Sequence, residues 1–426
     1  MALVRMALSN YRCFSKGENV QLSPVTVVLG RNNSGKSALS RAPMVLETGI
    51  HTDSPTPLDL DELSEDILES FTDLIYGNRP HGNIAVELDF SSGSSAPLKL
   101  TATVQHIDEY RTQVVSLLEI ETPEGHARLT WEPSEPPNLS TYEVAYENQV
   151  ISNVSLTFQG ILPVGIPDRS DLKKLDVFLR NASQDIRKNY PTVRYFGPFR
   201  ERPARRYRLP ARMPAEVGIT GENAAGILVS DIERQQGRLV EQVNQDLADN
   251  LPGWKLEVAE RGGMYSLVLT SNTDDSLSVN LADAGTGVAQ VLPIFVQRAA
   301  DALNPPTRPV LEIIEQPELH LHPAAHGALA DLYLFAAQET GVRFIVETHS
   351  ETFLLRLRRR IAEGLSPDTV AIYFVEHDGR SAQTRPIHID EDGNLDFWPT
   401  GVFSEDYDET RALVAAQQER QTPNAD

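Results

Sequence analysis

Apolar and polar residues alternate along this chain with different periods in different regions. Between about residues 84 and 165 the period is two. Ile84, Val86, Leu88 and Phe90 form one such run, Leu98, Leu100, Ala102 and Val104 another, and Val154, Leu156 and Phe158 a third. Successive side chains of a strand point to opposite faces, so these runs predict antiparallel strands with one buried face. Turn residues such as Pro123-Glu124-Gly125 separate them. From 288 to 375 the pattern changes. Helices are expected near 288–303, 324–339 and 351–363, and short apolar strands at 309–314, 343–347 and 369–375. That alternation implies a parallel sheet with helices packed on it. Residues 171–189 and 222–250 read as helical, 255–260 with 265–270 as a hairpin, and 53–73 as a polar, acidic connection. There is no internal repeat and no sustained heptad, so no long coiled coil is expected.

The first 48 residues read strand, strand, loop, helix, and the loop changes the picture. Gly30-Arg31-Asn32-Asn33-Ser34-Gly35-Lys36-Ser37 fits G-x-x-x-x-G-K-[ST] and lies between the apolar Val25-Thr26-Val27-Val28-Leu29 and a helix opened by Ser37-Ala38-Leu39. Glycines let such a loop curl so that backbone N–H groups face phosphate oxygens, and the helix N-terminus adds a favourable dipole. Gly30, Asn32, Asn33, Ser34, Gly35, Lys36, Ser37 and Ala38 are therefore the candidate phosphate-binding residues. Lys36 would bridge the β- and γ-phosphates of ATP, and the Ser37 hydroxyl would sit on Mg²⁺.

A second segment completes that chemistry. Val310, Leu311, Ile313 and Ile314 make an apolar strand that ends at Glu315, the expected Mg²⁺ acid. Glu312 in its middle has no explanation at this level. Gln316 stands where a glutamate usually polarises the attacking water, and an amide cannot accept that proton at neutral pH. Three alternatives remain: slow hydrolysis, Glu318 as the base, or a substitution that traps bound ATP. His320, His322 and His326 resemble zinc-ligand spacing but lack a further ligand set, so packing beside the nucleotide is the expected role. His349 follows the next predicted strand, where it can reach the γ-phosphate.

Composition narrows the partners. The chain has 426 residues, 40% hydrophobic and 23% charged, with no run long enough to span a membrane and no signal-peptide pattern. A single cysteine, Cys13, fits a reducing, cytoplasmic setting. Net charge is -22, which repels nucleic acid at long range. Contact with nucleic acid would need a local basic surface: Arg200, Arg202, Arg205, Arg206, Arg208 and Arg212, or Arg356, Arg358, Arg359 and Arg360. The bland expectation is that these arginines pair with carboxylates or face solvent, and phosphates of a bound nucleotide are another partner open to the first cluster.

In this order the pieces resemble the ABC-type ATPases of the SMC and OLD clade, above all the compact bacterial ATPases, encoded with or without an OLD-type nuclease, many of which occur in phage-defence operons. The resemblance rests on Leu8-Ser9-Asn10-Tyr11-Arg12-Cys13-Phe14, the loop Gly30 to Ser37, Tyr195-Phe196-Gly197-Pro198-Phe199-Arg200, the run Glu315 to Pro323, Glu347-Thr348-His349-Ser350-Glu351, and Gly393 to Gly401. It implies an α/β fold, an ABC-ATPase-like P-loop NTPase with a mixed central sheet, an antiparallel β-subdomain and a helical insertion. One ATPase domain would cover 1–412: a P-loop segment (1–50), the β-subdomain (84–165), the helical insertion (171–252), a lobe with signature, acidic strand and switch histidine (253–375), and a C-terminal Trp-Pro segment (376–412). A polar tail (413–426) would follow.

The resemblance further implies that Asp283-Ala284-Gly285-Thr286-Gly287-Val288-Ala289-Gln290 is the ABC signature, with Gly285, Thr286 and Gly287 meeting the γ-phosphate held by the opposite protomer. The segment departs from the usual Ser-Gly-Gly pattern. Arg12 joins the nucleotide-binding set, and His349 is the switch histidine beside Glu315, Gln316 and Glu318. The implied protein is a Mg²⁺-dependent ATPase whose ATP-bound protomers pair head to tail, as a homodimer or larger, to control an effector such as a nuclease in phage defence or DNA maintenance. The competing class is a non-hydrolysing, ATP-gated scaffold. A small-molecule kinase fits the loop but neither the signature-like segment nor His349.

Overall fold

A computed structural model describes residues 2–63, 67–91, 98–134, 138–167, 170–248, 253–274, 276–398 and 405–421. The chain opens with β1 (Ala2–Ser9), β2 (Glu18–Gln21) and β3 (Val25–Gly30), then α1 (Lys36–Ser40) and α2 (Ala42–Ile50). The period-two region forms β4 (Asn83–Ser91), β5 (Leu98–Ile107), β6 (Thr112–Thr122), β7 (Gly125–Trp131), β8 (Thr141–Tyr146) and β9 (Gln149–Ser155). With β1 and β2 these strands build an eight-stranded sheet of order β2-β1-β4-β5-β6-β7-β8-β9, antiparallel at every pairing. Its inward residues are those of the alternating pattern: Ile84, Val86, Leu88, Phe90, Leu98, Leu100, Ala102 and Val104 are all buried.

A short hairpin, β10 (Thr157–Gln159) and β11 (Leu162–Gly165), leads into α3 (Lys173–Asn189) and β12 (Thr192–Phe196). The helical stretch at 222–250 is two helices, α4 (Ala224–Gln235) and α5 (Arg238–Ala248). Gln236 at φ 64° and Gly237 at φ 74° separate them. Next come β13 (Trp254–Arg261), β14 (Met264–Ser271) and β15 (Ser278–Asn280), a small antiparallel sheet. The alternating region follows as α6 (Thr286–Leu303), β16 (Val310–Glu315), α7 (Pro323–Thr340), β17 (Arg343–Glu347), α8 (Glu351–Ala362), β18 (Val370–His377) and β19 (Ala382–Ile387). A last helix, α9 (Glu405–Gln421), crosses residue 413, where the polar tail was expected to begin. Pro399-Thr400-Gly401, the end of the C-terminal motif, lies outside the described residues.

The central sheet has the order β12-β16-β17-β3-β18-β19. All its pairings are parallel except β18–β19. Both faces are covered, which is why β3 and β16 are buried at every position. Val25, Val27 and Leu29 of β3 pack into one core with the apolar faces of α6, α7 and α8, while Val28 points into the other core, shared with the antiparallel sheet. The fold is thus α/β: a mixed central sheet carrying a phosphate loop, an antiparallel β-subdomain and a helical insertion.

Glu312 finds its reason here. It shares the face of β16 that carries Val310 and Ile314, and α6 presents Arg298 to it in a buried ion pair. Arg194 of β12 lies 3.9 Å away, and Asp301 bonds Arg194 at 2.8 Å and Arg298 at 3.0 Å. This four-charge network is what permits a carboxylate inside an apolar strand.

Candidate nucleotide site

The phosphate loop leaves the end of β3 with the backbone that its glycines require. Gly30 has no room for a side chain, since a Cβ would stand 2.4 Å from the Val375 carbonyl. Gly35 adopts φ 105°, and a Cβ there would meet Cys13 Sγ at 2.6 Å. Asn33 takes a left-handed φ of 63°. Asn32 and Asn33 are exposed, while Ser34 is buried with its hydroxyl unpartnered. Lys36 is buried and folds back over the loop, its Nζ donating to the Arg31 carbonyl at 2.8 Å. Burial lowers its pKa, opposed by Glu347 and then Glu315. Ala38 packs against the core beneath the loop.

The sheet brings the acidic residues to the same edge. Glu315 ends β16 and Glu347 ends β17, in direct register with each other, and Glu347 is also in register with Val28 of β3. The Ser37 hydroxyl donates to Glu347, 2.9 Å from Oε2 and 3.2 Å from Oε1. Lys36 Nζ lies 4.0 Å from the same carboxylate. Burial, and after it the neighbouring Glu315, pushes Glu347 up to about 7. Glu315 itself is gripped by Arg41, through Nε at 2.5 Å and Nη2 at 2.8 Å. The Arg41 guanidinium also sits 5.3 Å over the Tyr195 ring.

Beyond β16 the chain turns sharply, with Gln316 at φ 45° and its N–H donating to the Glu347 carbonyl at 2.7 Å. Arg200, 5% exposed, donates to the carbonyls of Glu315 and Gln316 at 3.2 and 3.4 Å. Its own backbone is held by the Gln290 side chain of α6. Glu318 Oε1 accepts the His349 N–H at 2.7 Å; Glu318 Oε2 and His349 Nε2 are both buried without a partner. Burial, then Lys36, holds His349 below the usual histidine range, so its imidazole is neutral at pH 7.

Other sequence candidates settle into supporting places. His326 lies 2.8 Å from Ser350 Oγ, which caps α8 by accepting the Phe353 N–H. His322 caps α7. Gly285 and Thr286 are exposed at the start of α6, and Gly287 is packed so closely that a Cβ would stand 2.8 Å from the His320 carbonyl. Among the described residues no hydrogen bond or ion pair joins Gly285, Thr286 or Gly287 to the phosphate loop of the same chain. Arg12, at φ 51°, is anchored to the Ile67 carbonyl. In the first arginine cluster Arg205 pairs with Asp283 of the signature-like turn, and Arg202, Arg206, Arg208 and Arg212 are exposed. The second cluster is mostly paired: Arg356 and Arg360 with Asp331, Arg359 with Glu363.

Sequence reasoning gave Glu347 and Arg41 no role in this site, and read Arg200 only as a member of an arginine cluster and of the Tyr195–Arg200 motif. Glu347 could have been found, because it closes Phe344-Ile345-Val346 as Glu315 closes its own strand. What Arg41 and Arg200 grip carries no local signal, since their partners lie 274 and 115 positions away.

A phosphate loop, a buried lysine, a serine hydroxyl and two strand-end carboxylates together have the make-up of a P-loop nucleotide site. The residues present suit ATP with Mg²⁺: Ser37, Glu315 and Glu347 bring oxygen atoms of the kind a hard cation takes to the same strand ends, although both oxygens of Glu315 are engaged by Arg41. Comparison with known families agrees. Residues 220–354 match a family described as an AAA ATPase domain, and residues 365–413 match a protein family of unknown function, DUF3696. No curated protein matches the chain in sequence. Among solved structures, similar chains include the SMC head domain from Thermotoga maritima, at 11% identity and TM-score 0.44, covering 91% of this chain and 100% of that one. An SmcHead bound to the C-winged helix domain of ScpA shows 12% identity, TM-score 0.49, and coverage of 91% and 99%. An Smc head domain with an extended coiled coil, bound to the C-terminal domain of ScpA derived from Pyrococcus furiosus, shows 11%, 0.43, and coverage of 99% and 100%.

Proposed function

We propose that this protein is a Mg²⁺-dependent ATP switch. ATP-bound protomers pair head to tail, and their pairing controls a partner effector of nuclease type in phage defence or DNA maintenance. The observation that supports this most is the separation of two complementary half-sites on one chain. The loop Gly30–Ser37 sits with Lys36, Glu315, Glu318, Glu347 and His349 on the edge of the central sheet, while Gly285, Thr286 and Gly287 sit at the start of α6 with Gly285 and Thr286 facing solvent. A helix of 18 residues offers unpaired N–H groups and a positive dipole end there, suited to a phosphate from outside the chain. A twofold arrangement satisfies both half-sites at once. The effector and the defence setting rest on resemblance to OLD-type ATPases.

Within the site, Lys36 and the loop N–H groups bind the phosphates, and Mg²⁺, when bound, neutralises charge between them. Glu318 is placed to take a proton from water, because His349 N–H fixes one oxygen and leaves the other free. Gln316 can orient water but not deprotonate it. That favours a slow switch, and in the limit the second reading: a scaffold that assembles on ATP without turning it over.

The test is light scattering with ATP and Mg²⁺, run beside phosphate release, with Lys36→Ala as control. ATP-dependent growth in mass, absent in Lys36→Ala, is expected. Constant mass together with failure to bind ATP would overturn the switch. Gln316→Glu separates the two readings: a rise in phosphate release on the order of 10²-fold marks a restrained ATPase. No release from either form marks the scaffold.

A further inference from the structure

The site holds two strand-end carboxylates, and their surroundings are unequal. P-loop ATPases hold Mg²⁺ with the loop hydroxyl and one acid at the end of a nearby strand. By sequence position that acid is Glu315. In the folded chain β17 lies between β16 and β3, so Glu347 stands one strand closer to the loop than Glu315 does. Ser37 Oγ is 2.9 Å from Glu347 Oε2. Mg²⁺ takes oxygen ligands at about 2.0–2.1 Å in an octahedron, which puts neighbouring ligand oxygens about 2.9 Å apart. The hydroxyl and carboxylate already have the spacing of two adjacent ligands of one ion.

Glu315 is engaged elsewhere. Both its oxygens accept from Arg41 in a fork-to-fork pair, and Glu315 is 3% exposed. A bidentate guanidinium–carboxylate pair in such a setting is strong and directional, and dissolving it would leave Arg41 without its partner. Around the Ser37–Glu347 pair the site also keeps unsatisfied polar atoms: Ser34 Oγ in the loop and Glu318 Oε2 beyond it, both buried.

We propose that Glu347, at the end of β17, supplies the carboxylate of the Mg²⁺ site, and that Glu315 is held by Arg41 as a fixed wall of that site. This rests on the reading of the loop as an ATP site. It moves the metal ligand one strand along the sheet and gives Arg41 a positioning role: it keeps a second negative charge at the strand ends compensated.

The experiment measures metal apart from turnover. A fluorescent ATP analogue is titrated with Mg²⁺ and again with EDTA, and Mn²⁺ binding in the presence of nucleotide is followed by electron paramagnetic resonance. Wild type, Glu347→Gln, Glu347→Asp and Glu315→Gln are compared. Glu347→Gln is expected to lose the Mg²⁺-dependent gain in affinity by at least about tenfold, and to lose the bound Mn²⁺ signal. A melting curve like that of wild type shows that it is folded. Glu347→Asp keeps a carboxylate and should recover part of the gain, while Glu315→Gln should keep the bound Mn²⁺ signal. Retention of the gain in Glu347→Gln, or loss of bound Mn²⁺ in Glu315→Gln, overturns the assignment while leaving the ATP site intact. If wild type binds no nucleotide in Mg²⁺ or EDTA, the ATP reading itself falls and this assignment with it.

Discussion

Glu318 and His349 meet through one hydrogen bond beyond the ends of β16 and β17. The His349 backbone N–H holds Glu318 Oε1 at 2.7 Å, and the remaining carboxylate oxygen is buried with nothing to bond. A buried acceptor is completed by a ligand or water where protein supplies no donor, which suits this oxygen to a water beside the phosphates. Glu318→Gln is therefore expected to lower phosphate release on the order of 10²-fold while leaving ATP affinity within a few-fold of wild type. Equal loss of affinity and of release in that variant would mean that Glu318 shapes the site rather than acting in it. Gln316 beside it has a different constraint. Its φ of 45° and its N–H bond to the Glu347 carbonyl make the turn after β16, so this position sets the backbone.

Helix ends make the connections between elements. The start of α6 carries the signature-like segment, and one turn further on Gln290 grips the backbone of Arg200, whose guanidinium holds the carbonyls of Glu315 and Gln316. The exposed Gly285 and Thr286 thus open a helix that is hydrogen-bonded, through one arginine, to the turn holding Gln316. The helical insertion is secured in a similar manner. Asp231, wholly buried in α4, accepts the N–H groups of Leu239 and Val240 in the first turn of α5. A carboxylate there satisfies two donors that the helix cannot satisfy itself and meets the positive end of its dipole. Asp231→Ala is expected to cost about 1–2 kcal/mol and to lower Tm by a few degrees, with ATP affinity retained. An unchanged melting curve would show that α5 does not depend on this cap.

The two cores are joined through the central sheet, and the buried network of Arg194, Arg298, Asp301 and Glu312 lies in the one lined by α6, α7 and α8. Burial pushes Glu312 up to about 7 from its ordinary 4.5, against the pull of Arg298 and Arg194 and with a push from Asp301. A carboxyl that binds its proton more tightly folded than unfolded stabilises the fold fully below the ordinary value. That contribution is lost as pH rises through about 7. The stability of wild type relative to Glu312→Gln should therefore fall between pH 5 and pH 8, read from urea melts of both proteins. A difference that is flat or rises with pH would show that the two arginines hold Glu312 ionised throughout. Over the whole surface the net charge is -22, and the second arginine cluster is largely spent on Asp331 and Glu363. Arg202, Arg206, Arg208 and Arg212 are exposed, in the segment whose Arg205 pairs with Asp283 of the signature-like turn.

Local pattern was enough for the elements whose physics is local. Alternation announced the antiparallel strands, the apolar runs before Gly30, Glu315 and Glu347 announced buried parallel strands, and the glycines of the loop announced its curl. β12 escaped because Thr192-Val-Arg-Tyr-Phe carries an arginine that distant carboxylates, Asp301, Glu216 and Glu312, make tolerable. The helix at 222–250 broke in two because Gln236 and Gly237 turn left-handed, a choice that Asp231 stabilises from across the break. The nucleotide chemistry was legible as a kind of site, from the residue types that phosphate and Mg²⁺ require. The pairing of groups within it was not. Which carboxylate stands beside Ser37, what Arg41 and Arg200 grip, and why Glu312 can be buried all depend on the order β12-β16-β17-β3, and strand order is decided by packing between distant segments. Sequence by itself determined the parts and their chemical capacity; only the tertiary structure decided which parts meet, because contact across a sheet leaves no period along the chain.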